Sequence, residues 1–119
     1  MANEISVSIS LTASKNGATN VASASNTITM AGDQMITNVQ TIGTSSETLA
    51  LGDVSTLGYL FIKNLDATNF ILVDYVDTMD AFTQKLLAGE SILLKPVGTT
   101  IYAFANTAPC NVLVVALEL

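Results

Sequence analysis

The stretch that decides the fold of this 119-residue chain runs from Gly58 to Val76 and reads GYLFIKNLDATNFILVDYV. Two almost continuously apolar segments, Gly58 to Ile62 and Phe70 to Val76, flank a polar loop. Apolar runs of this length, bounded by turn residues, are typical of strands that are covered on both faces. We therefore predict that the two segments are strands and that they pair as a central hairpin.

The N-terminal quarter follows a period of two. Between Glu4 and Ala13 every second residue is apolar and the others are polar, mostly serine, which is the pattern of a half-buried strand. Asn16 and Gly17 then form a dipeptide favoured in tight hairpin turns, because both residues tolerate positive φ. We expect a second, Ser-rich strand from Ala18 to Met30, either at a sheet edge or as an arm paired with a neighbouring subunit.

Strand and turn signals recur about every 8 to 12 residues over the remainder of the chain. Further strands are predicted at Met35 to Ile42, Glu47 to Leu51, Ser91 to Lys95, Thr100 to Ala105 and Val112 to Leu119, and Ala81 to Leu87 fits either a strand or a single helical turn. The predicted fold class is all-β, an antiparallel β-sandwich of about 8 to 10 short strands with little or no helix, for which a jelly roll is one candidate. We predict one sandwich domain, residues 1–119, with residues 1–30 as a hairpin or arm involved in oligomer contacts.

The composition limits the chemistry that the chain can carry. It contains no histidine, no arginine and no tryptophan, although 50% of its residues are hydrophobic. These absences remove the commonest general base, the bidentate anion-binding side chain and the imidazole metal ligand. We therefore predict no catalytic residue, no cofactor and no metal site, and a protein that is not an enzyme.

Charge and segment lengths limit the partners. The net charge of −6 disfavours nucleic acid and anionic membrane surfaces. No apolar run reaches the roughly 18 to 20 residues of a membrane-spanning helix. Residues Met1 to Glu4 lack the basic start of a secretory leader, so synthesis in the cytoplasm without a signal peptide is expected. Cys110 is the single cysteine, and its apolar context predicts a buried small hydrophobe.

Asp74, Asp77 and Asp80 recur at a spacing of three and offer oxygen ligands that could suit calcium. The central glycine and the closing glutamate of a calcium loop do not accompany them. Solvated turn carboxylates are therefore the favoured interpretation, and ion binding stays open as the alternative.

The polar loop from Asn64 to Asn69 is a candidate exposed loop, with Asp66, Thr68 and Asn69 as its candidate binding residues. The aromatic residues could line a sugar groove, but such platforms most often use tryptophan, so core packing is the favoured interpretation. They are Tyr59, Phe61, Phe70, Tyr75, Phe82, Tyr102 and Phe104.

Only 12% of the residues are charged, against roughly 25% in typical soluble proteins. A small domain has much surface to cover, so this shortage predicts permanent contacts between subunits. The candidate oligomer contacts are Ile5, Val7, Ile9 and Leu11, and we expect a homo-oligomer, with a trimer or a higher state as the candidate size.

Three stretches, Gly58 to Phe70, Leu86 to Glu90 and Thr100 to Ala103, resemble small virion proteins of tailed bacteriophages. The resemblance covers Met35 to the C-terminus and consists of turn-and-strand patterns. It implies a non-enzymatic structural protein located in the virion, with a self-associating capsid decoration or minor capsid protein as the first expectation. Its partners would be copies of itself and the phage major capsid protein or another virion protein. The alternatives are a tail, baseplate or fibre component with receptor- or glycan-binding loops, and a ring-forming neck or tail element.

Overall fold

The computed structural model describes residues 4–96, 98 and 100–118, which form ten β-strands and no helix. The strands are β1 (Ile5–Lys15), β2 (Ala18–Ile28), β3 (Met35–Ile42), β4 (Glu47–Thr48), β5 (Leu57–Asn64), β6 (Ile71–Asp74), β7 (Gln84–Leu86), β8 (Ser91–Leu94), β9 (Tyr102–Ala105) and β10 (Cys110–Glu118). All of their pairings are antiparallel. Among these described residues there is no helix that could span a membrane. The predicted all-β class is confirmed; residue 119, which the predicted last strand included, lies outside the described residues.

The chain divides into two compact units, residues 1–31 and residues 32–119. The first unit is the β1–β2 hairpin, whose register runs from Ile5 opposite Ile28 to Lys15 opposite Ala18. Its turn residues, Asn16 and Gly17, have φ values of 52° and 84°, as a two-residue turn of type I′ requires. The predicted turn is thus confirmed. The predicted sandwich occupies the second unit only, and the hairpin forms a sheet of its own.

The second unit is an eight-stranded jelly roll. Its first sheet has the strand order β3-β10-β5-β8, and its second sheet has the order β4-β9-β6-β7. The eight strands pair from the outside inwards, β3 with β10, β4 with β9, β5 with β8 and β6 with β7. Two further pairings, β10 with β5 and β9 with β6, complete the sheets. This nested order is that of a long hairpin rolled into two sheets, which is the jelly-roll arrangement.

The predicted central hairpin of β5 with β6 is wrong, since these strands lie in different sheets. The polar loop between them crosses from one sheet to the other instead of turning within one. Asn64 is buried at the crossing, where its Nδ2 donates to the backbone oxygens of Asn69 at 2.9 Å and Leu86 at 3.2 Å. Its Oδ1 accepts from the N–H of Asp66 at 3.0 Å. Through these bonds the buried Asn64 amide satisfies backbone groups where the chain crosses between the sheets.

The core between the two sheets is aliphatic. Fully buried residues from both sheets build it, among them Ile42, Leu60, Ile62, Ile71, Val73, Ile101, Val112 and Val114. None of the seven aromatic side chains is fully buried, and Tyr75 alone among them packs against this core, so the predicted aromatic core is wrong for the other six. In β9 the inward positions belong to Ala103 and Ala105, and Tyr102 and Phe104 therefore point outward.

The ambiguous segment from Ala81 to Leu87 contains the short strand β7 rather than a helical turn. Several other strands are shorter than predicted. β4 ends at Thr48, β6 at Asp74 and β9 begins at Tyr102.

Candidate functional site

The β1–β2 hairpin has two chemically distinct faces. Residues that lie opposite each other in the register share a face. The apolar hairpin face consists of Ile5, Val7, Ile9, Leu11 and Ala13 with Ile28, Asn26, Ala24, Ala22 and Asn20 opposite them. The hydroxyl face consists of Ser6, Ser8, Ser10, Thr12 and Ser14 with Thr27, Ser25, Ser23, Val21 and Thr19 opposite them. Ser14 Oγ and Thr19 Oγ1 lie 3.2 Å apart on this second face.

The exposure of the apolar hairpin face increases towards the turn. Ile5 is buried and Val7 is half-buried, whereas Ile9 is 55% and Leu11 71% exposed. Of the four predicted contact residues, Ile9 and Leu11 thus present the free surface. Exposed large apolar side chains in a row mark interaction sites, and a two-stranded ribbon is marginally stable on its own in water.

A second apolar surface lies on the outer face of the first sheet. In β10 and β5 the buried residues alternate with outward residues that are mostly apolar as well, and Asn111 and Lys63 are the polar exceptions. We define the outer face of the first sheet by Met35, Val39, Tyr59, Phe61, Leu93, Leu113, Val115 and Leu117. Met35 is 64%, Val39 55% and Leu93 36% exposed. The sequence carries a signal for this surface, because both alternating sets of β5 and β10 are largely apolar. The alternation alone does not show which of the two sets faces outward.

The predicted exposed loop is partly closed by its own hydrogen bonds. Asp66 Oδ2 accepts the backbone N–H of Thr68 at 2.9 Å and of Asn69 at 2.6 Å. These two backbone hydrogen bonds hold the pKa of the Asp66 carboxyl below its usual value. Thr68 is exposed, whereas Asp66 and Asn69 are half-buried. The Asp66 carboxylate therefore caps the turn instead of facing a ligand.

Asp74 is buried at the end of β6 and anchors the loop that follows. Its carboxylate accepts the Thr83 hydroxyl at 2.7 Å and the N–H groups of Tyr75, Phe82 and Ala81 at 2.5, 3.0 and 3.1 Å. Burial by itself raises the pKa of this carboxyl, but the hydrogen bonds outweigh it and the pKa is lowered. A carboxylate surrounded by donors in this way is a structural anchor.

The three aspartates of the possible calcium site do not converge. Asp80 Oδ1 accepts from the Thr78 hydroxyl at 2.8 Å, Asp77 is exposed, and Asp74 faces its loop N–H groups. Over residues 4–96, 98 and 100–118, no three acidic or cysteine side chains are grouped to hold a metal ion. The regular spacing in sequence thus does not become a shared site in space.

Glu118, the last residue of β10, ties the end of the first sheet to the chain segments at Asp33 and Ser55. Its Oε2 accepts the N–H of Ser55 at 3.0 Å and the Ser55 hydroxyl at 2.8 Å, and Oε1 accepts the N–H of Asp33 at 3.3 Å. The Ser55 hydrogen bonds lower the pKa of the carboxyl despite its burial. Gly32 lies so close that a Cβ there would overlap the Glu118 side chain. The sequence offered no signal for this clamp, because its members are distant along the chain.

Cys110 is buried, as predicted, and its Sγ lies 3.6 Å from the backbone oxygen of Ala108. Burial raises the pKa of the thiol, and the charge of Asp66 raises it further. The thiol is therefore protonated at neutral pH and shielded from reagents.

No protein-family model matches the chain, and no curated protein matches it. Among solved structures, the chain is similar to a cupin superfamily protein from Desulfitobacterium hafniense DCB-2, with a TM-score of 0.40 and 12% sequence identity. That alignment covers 100% of this chain and 83% of the other. The jelly-roll assignment rests on the strand pairing described above and not on this similarity.

Proposed function

We propose that this chain is a non-enzymatic structural protein of a tailed-bacteriophage particle, which self-associates through its N-terminal hairpin and decorates the capsid. The observation that carries the proposal is the β1–β2 hairpin, whose two 11-residue strands keep most of their surface exposed. The resemblance of residues 35–119 to small virion proteins supports the viral setting.

The energetics of the hairpin favour a partner. Ordering one residue costs about 1 to 2 kcal/mol of backbone entropy, and burial of apolar surface must offset this cost. Ile9 and Leu11 are exposed, and every β2 residue before Ile28 is exposed as well. A neighbouring subunit would supply the missing burial. The serine and threonine residues of the hydroxyl face can lie beside such a contact without the desolvation cost of ions.

A second copy of the same chain is the simplest neighbour, because closed homo-oligomers are the commonest assemblies. The further partner is the major capsid protein or another virion protein. The net charge of −6 disfavours contact with packaged nucleic acid and suits the outer side of a shell. The proposed role depends on contact surfaces and not on catalysis: rigid sheets present loops, and apolar faces provide contacts.

Light scattering of the purified full-length chain tests self-association through the hairpin. We expect a mass of a trimer or a higher oligomer for the wild type, and a shift to the monomer for Leu11→Glu. Thr12→Glu is the matched control, since it places the same charge one residue away on the hydroxyl face. A monomeric wild type, or equal masses for both variants, would contradict the proposal. Copy number per particle then tests the position, because decoration needs hundreds of copies and a neck ring about a dozen or fewer.

A tail or fibre component that binds glycans is the second candidate function. The observation that favours it is the outward position of Tyr102 and Phe104 on the second sheet, where Phe104 lies opposite Leu72 and Tyr102 opposite Asp74. Phe70 directly precedes β6, and Lys85 Nζ lies over its ring, 4.2 Å from the centroid. Aromatic rings at a surface can stack on sugars. Specific binding on a glycan array, lost in Tyr102→Ala, would favour this function over decoration.

A further inference from the structure

We infer that the outer face of the first sheet is the surface on which the apolar hairpin face of a second copy of this chain docks. The inference rests on the proposed self-association through the hairpin and adds the receiving surface. Each copy would then be a donor with its residues 5–28 and an acceptor with β3, β10, β5 and β8.

The burial pattern of the first sheet shows why it needs a cover. Sandwich sheets commonly place apolar residues inward and polar residues towards water. In β10 the inward residues Val112 and Val114 are fully buried, yet the outward Leu113 and Val115 are equally apolar and are only half-buried. Strands that are apolar on both faces are typical of sheets with a layer on each side. The second sheet supplies one of these layers, and the other is the layer that we assign to a neighbouring hairpin.

The dimensions of the two surfaces match. Ile5 and Val7 are already covered, so the free part of the apolar hairpin face runs from Ile9 to the turn; from the usual strand rise and spacing it measures about 23 Å by 10 Å. The outer face of the first sheet, with four strands of up to nine residues, measures about 30 Å by 19 Å. The free part of a hairpin can therefore lie entirely on the sheet, as a third layer.

The area argues for exchange between copies. One such contact would bury on the order of 600 Å² in total, below the roughly 1,200 to 2,000 Å² of a stable interface. In a pair that exchanges hairpins, both contacts belong to one interface, which then buries about 1,200 Å² and reaches the lower end of that range. In a ring that passes hairpins in one direction, each interface has a single contact, and every copy is held by its two neighbours together.

Packing two hairpins on each other would cover their apolar faces but leave the outer face of the first sheet open. Packing a hairpin on the sheet covers both surfaces, including Leu11 on one side and Val39 on the other. The hydroxyl face of the hairpin then becomes the outer surface, where its serine and threonine residues face water. Two lysines limit where the hairpin can lie: Lys63 is exposed opposite Leu113, and Lys95, just after β8, places its Nζ 5.4 Å from the centre of the Tyr59 ring. A docked hairpin must therefore leave both lysines at its margin, where they stay solvated.

Cross-linking between separate chains tests the inference. A tagged Leu11→Cys chain is mixed with an untagged Val39→Cys or Met35→Cys chain and treated with a short bismaleimide. We expect mixed dimers at least ten times more abundant than with Thr12→Cys, the matched control on the hydroxyl face. Native Cys110 is fully buried and does not compete. As an independent measurement, Val39→Glu should raise the dissociation constant of the oligomer about tenfold or more, the effect of losing one buried aliphatic side chain.

The outcomes separate this inference from the proposed function. Dimers between two Leu11→Cys chains, with no mixed product, would overturn the sheet as acceptor but keep self-association through the hairpin. A Leu11→Cys/Val39→Cys chain that links only within itself would overturn docking between copies. Association weakened by Leu11→Glu but unaffected by Val39→Glu would also overturn it. A monomeric wild type would overturn both proposals.

Discussion

Replacing the buried anchor Asp74 with asparagine should destabilise the jelly roll strongly. The shape of the side chain is kept, but one carboxylate oxygen becomes an NH₂ group and the charge is lost. Asp74 Oδ2 accepts from the Ala81 N–H at 3.1 Å and from the Thr83 hydroxyl at 2.7 Å. In Asp74→Asn an NH₂ group in that position faces the Ala81 N–H. Thr83 Oγ1 also lies 2.7 Å from the Met79 backbone oxygen, so in the variant its single hydroxyl proton can be donated to that oxygen.

The magnitude follows from these contacts. A hydrogen bond to a charged group contributes about 1.5 to 3 kcal/mol, and a donor left unsatisfied costs about 1 to 3 kcal/mol. One lost bond at Ala81 and weaker bonds at Tyr75 and Phe82 together predict a loss of about 2 to 4 kcal/mol. For a domain of this size, the corresponding decrease in Tm is on the order of 10 °C.

The assay is urea unfolding followed by far-UV circular dichroism, at one fixed protein concentration so that the proposed association would affect all variants equally. Asp77→Asn is the matched control; it removes the same charge at an exposed position and should change stability by less than about 0.5 kcal/mol. An Asp74→Asn variant as stable as the Asp77→Asn variant would refute the anchoring role. A Tm that rises with calcium and loses this rise in Asp77→Asn would refute it in favour of an ion site.

Three further predictions concern the pH response, the Glu118 clamp and the hairpin turn. The pKa values of Asp74 and Glu118 are lowered from their usual 3.8 and 4.5, so both carboxylates stabilise the fold above these values and lose that contribution as the pH falls below them. Unfolding titrations should therefore show that stability falls below about pH 4.5, and that this fall is shallower in Asp74→Asn. A gain in stability on acidification would contradict this prediction. Gly32→Ala should lower the Tm by several degrees, because its Cβ displaces the Glu118 side chain, whereas Gly43→Ala, where the nearest atom is at 3.4 Å, should change it little; scanning calorimetry compares the two. Gly17→Val places a β-branched residue at a φ of 84° and should raise the dissociation constant of the oligomer while the jelly roll keeps its circular dichroism; unchanged association would show that the turn is not needed.

Local patterns in the sequence predict the local parts of the fold. The Asn16–Gly17 turn is correct because its conformation depends on two adjacent residues, and the predicted bounds of β3 match the structure. The pairing of β5 with β6 fails because the choice of a partner strand is not local. An apolar run shows that a strand is covered, but it does not show which strand lies beside it. The buried Asn64, which fixes the crossing between sheets, looks in sequence like any other loop asparagine.

The same limit explains the aromatic residues. In β5 the two alternating sets are Tyr59 with Phe61 and Leu60 with Ile62, and both are apolar. Period two separates the sets but does not tell which one faces the core when neither is polar. Leu60 and Ile62 are inside because they pack with the aliphatic residues of the opposite sheet. The burial of Asp74 depends on a loop that folds back over it, and the spacing of the aspartates in the sequence does not show this.

The shortage of charged residues and the two apolar surfaces have one common physical reading. A jelly roll of this size needs one core, which the inward residues of its two sheets provide. The outward residues of β5 and β10 and the alternating residues of β1 encode enough apolar surface for a second core, and charged side chains there would prevent it from forming. A chain that buried this surface indiscriminately would aggregate. Under the exchange that we propose, a hairpin with a defined length, a fixed turn and one hydroxyl face would limit the contact to one orientation, and the same surplus would then produce an assembly of definite size.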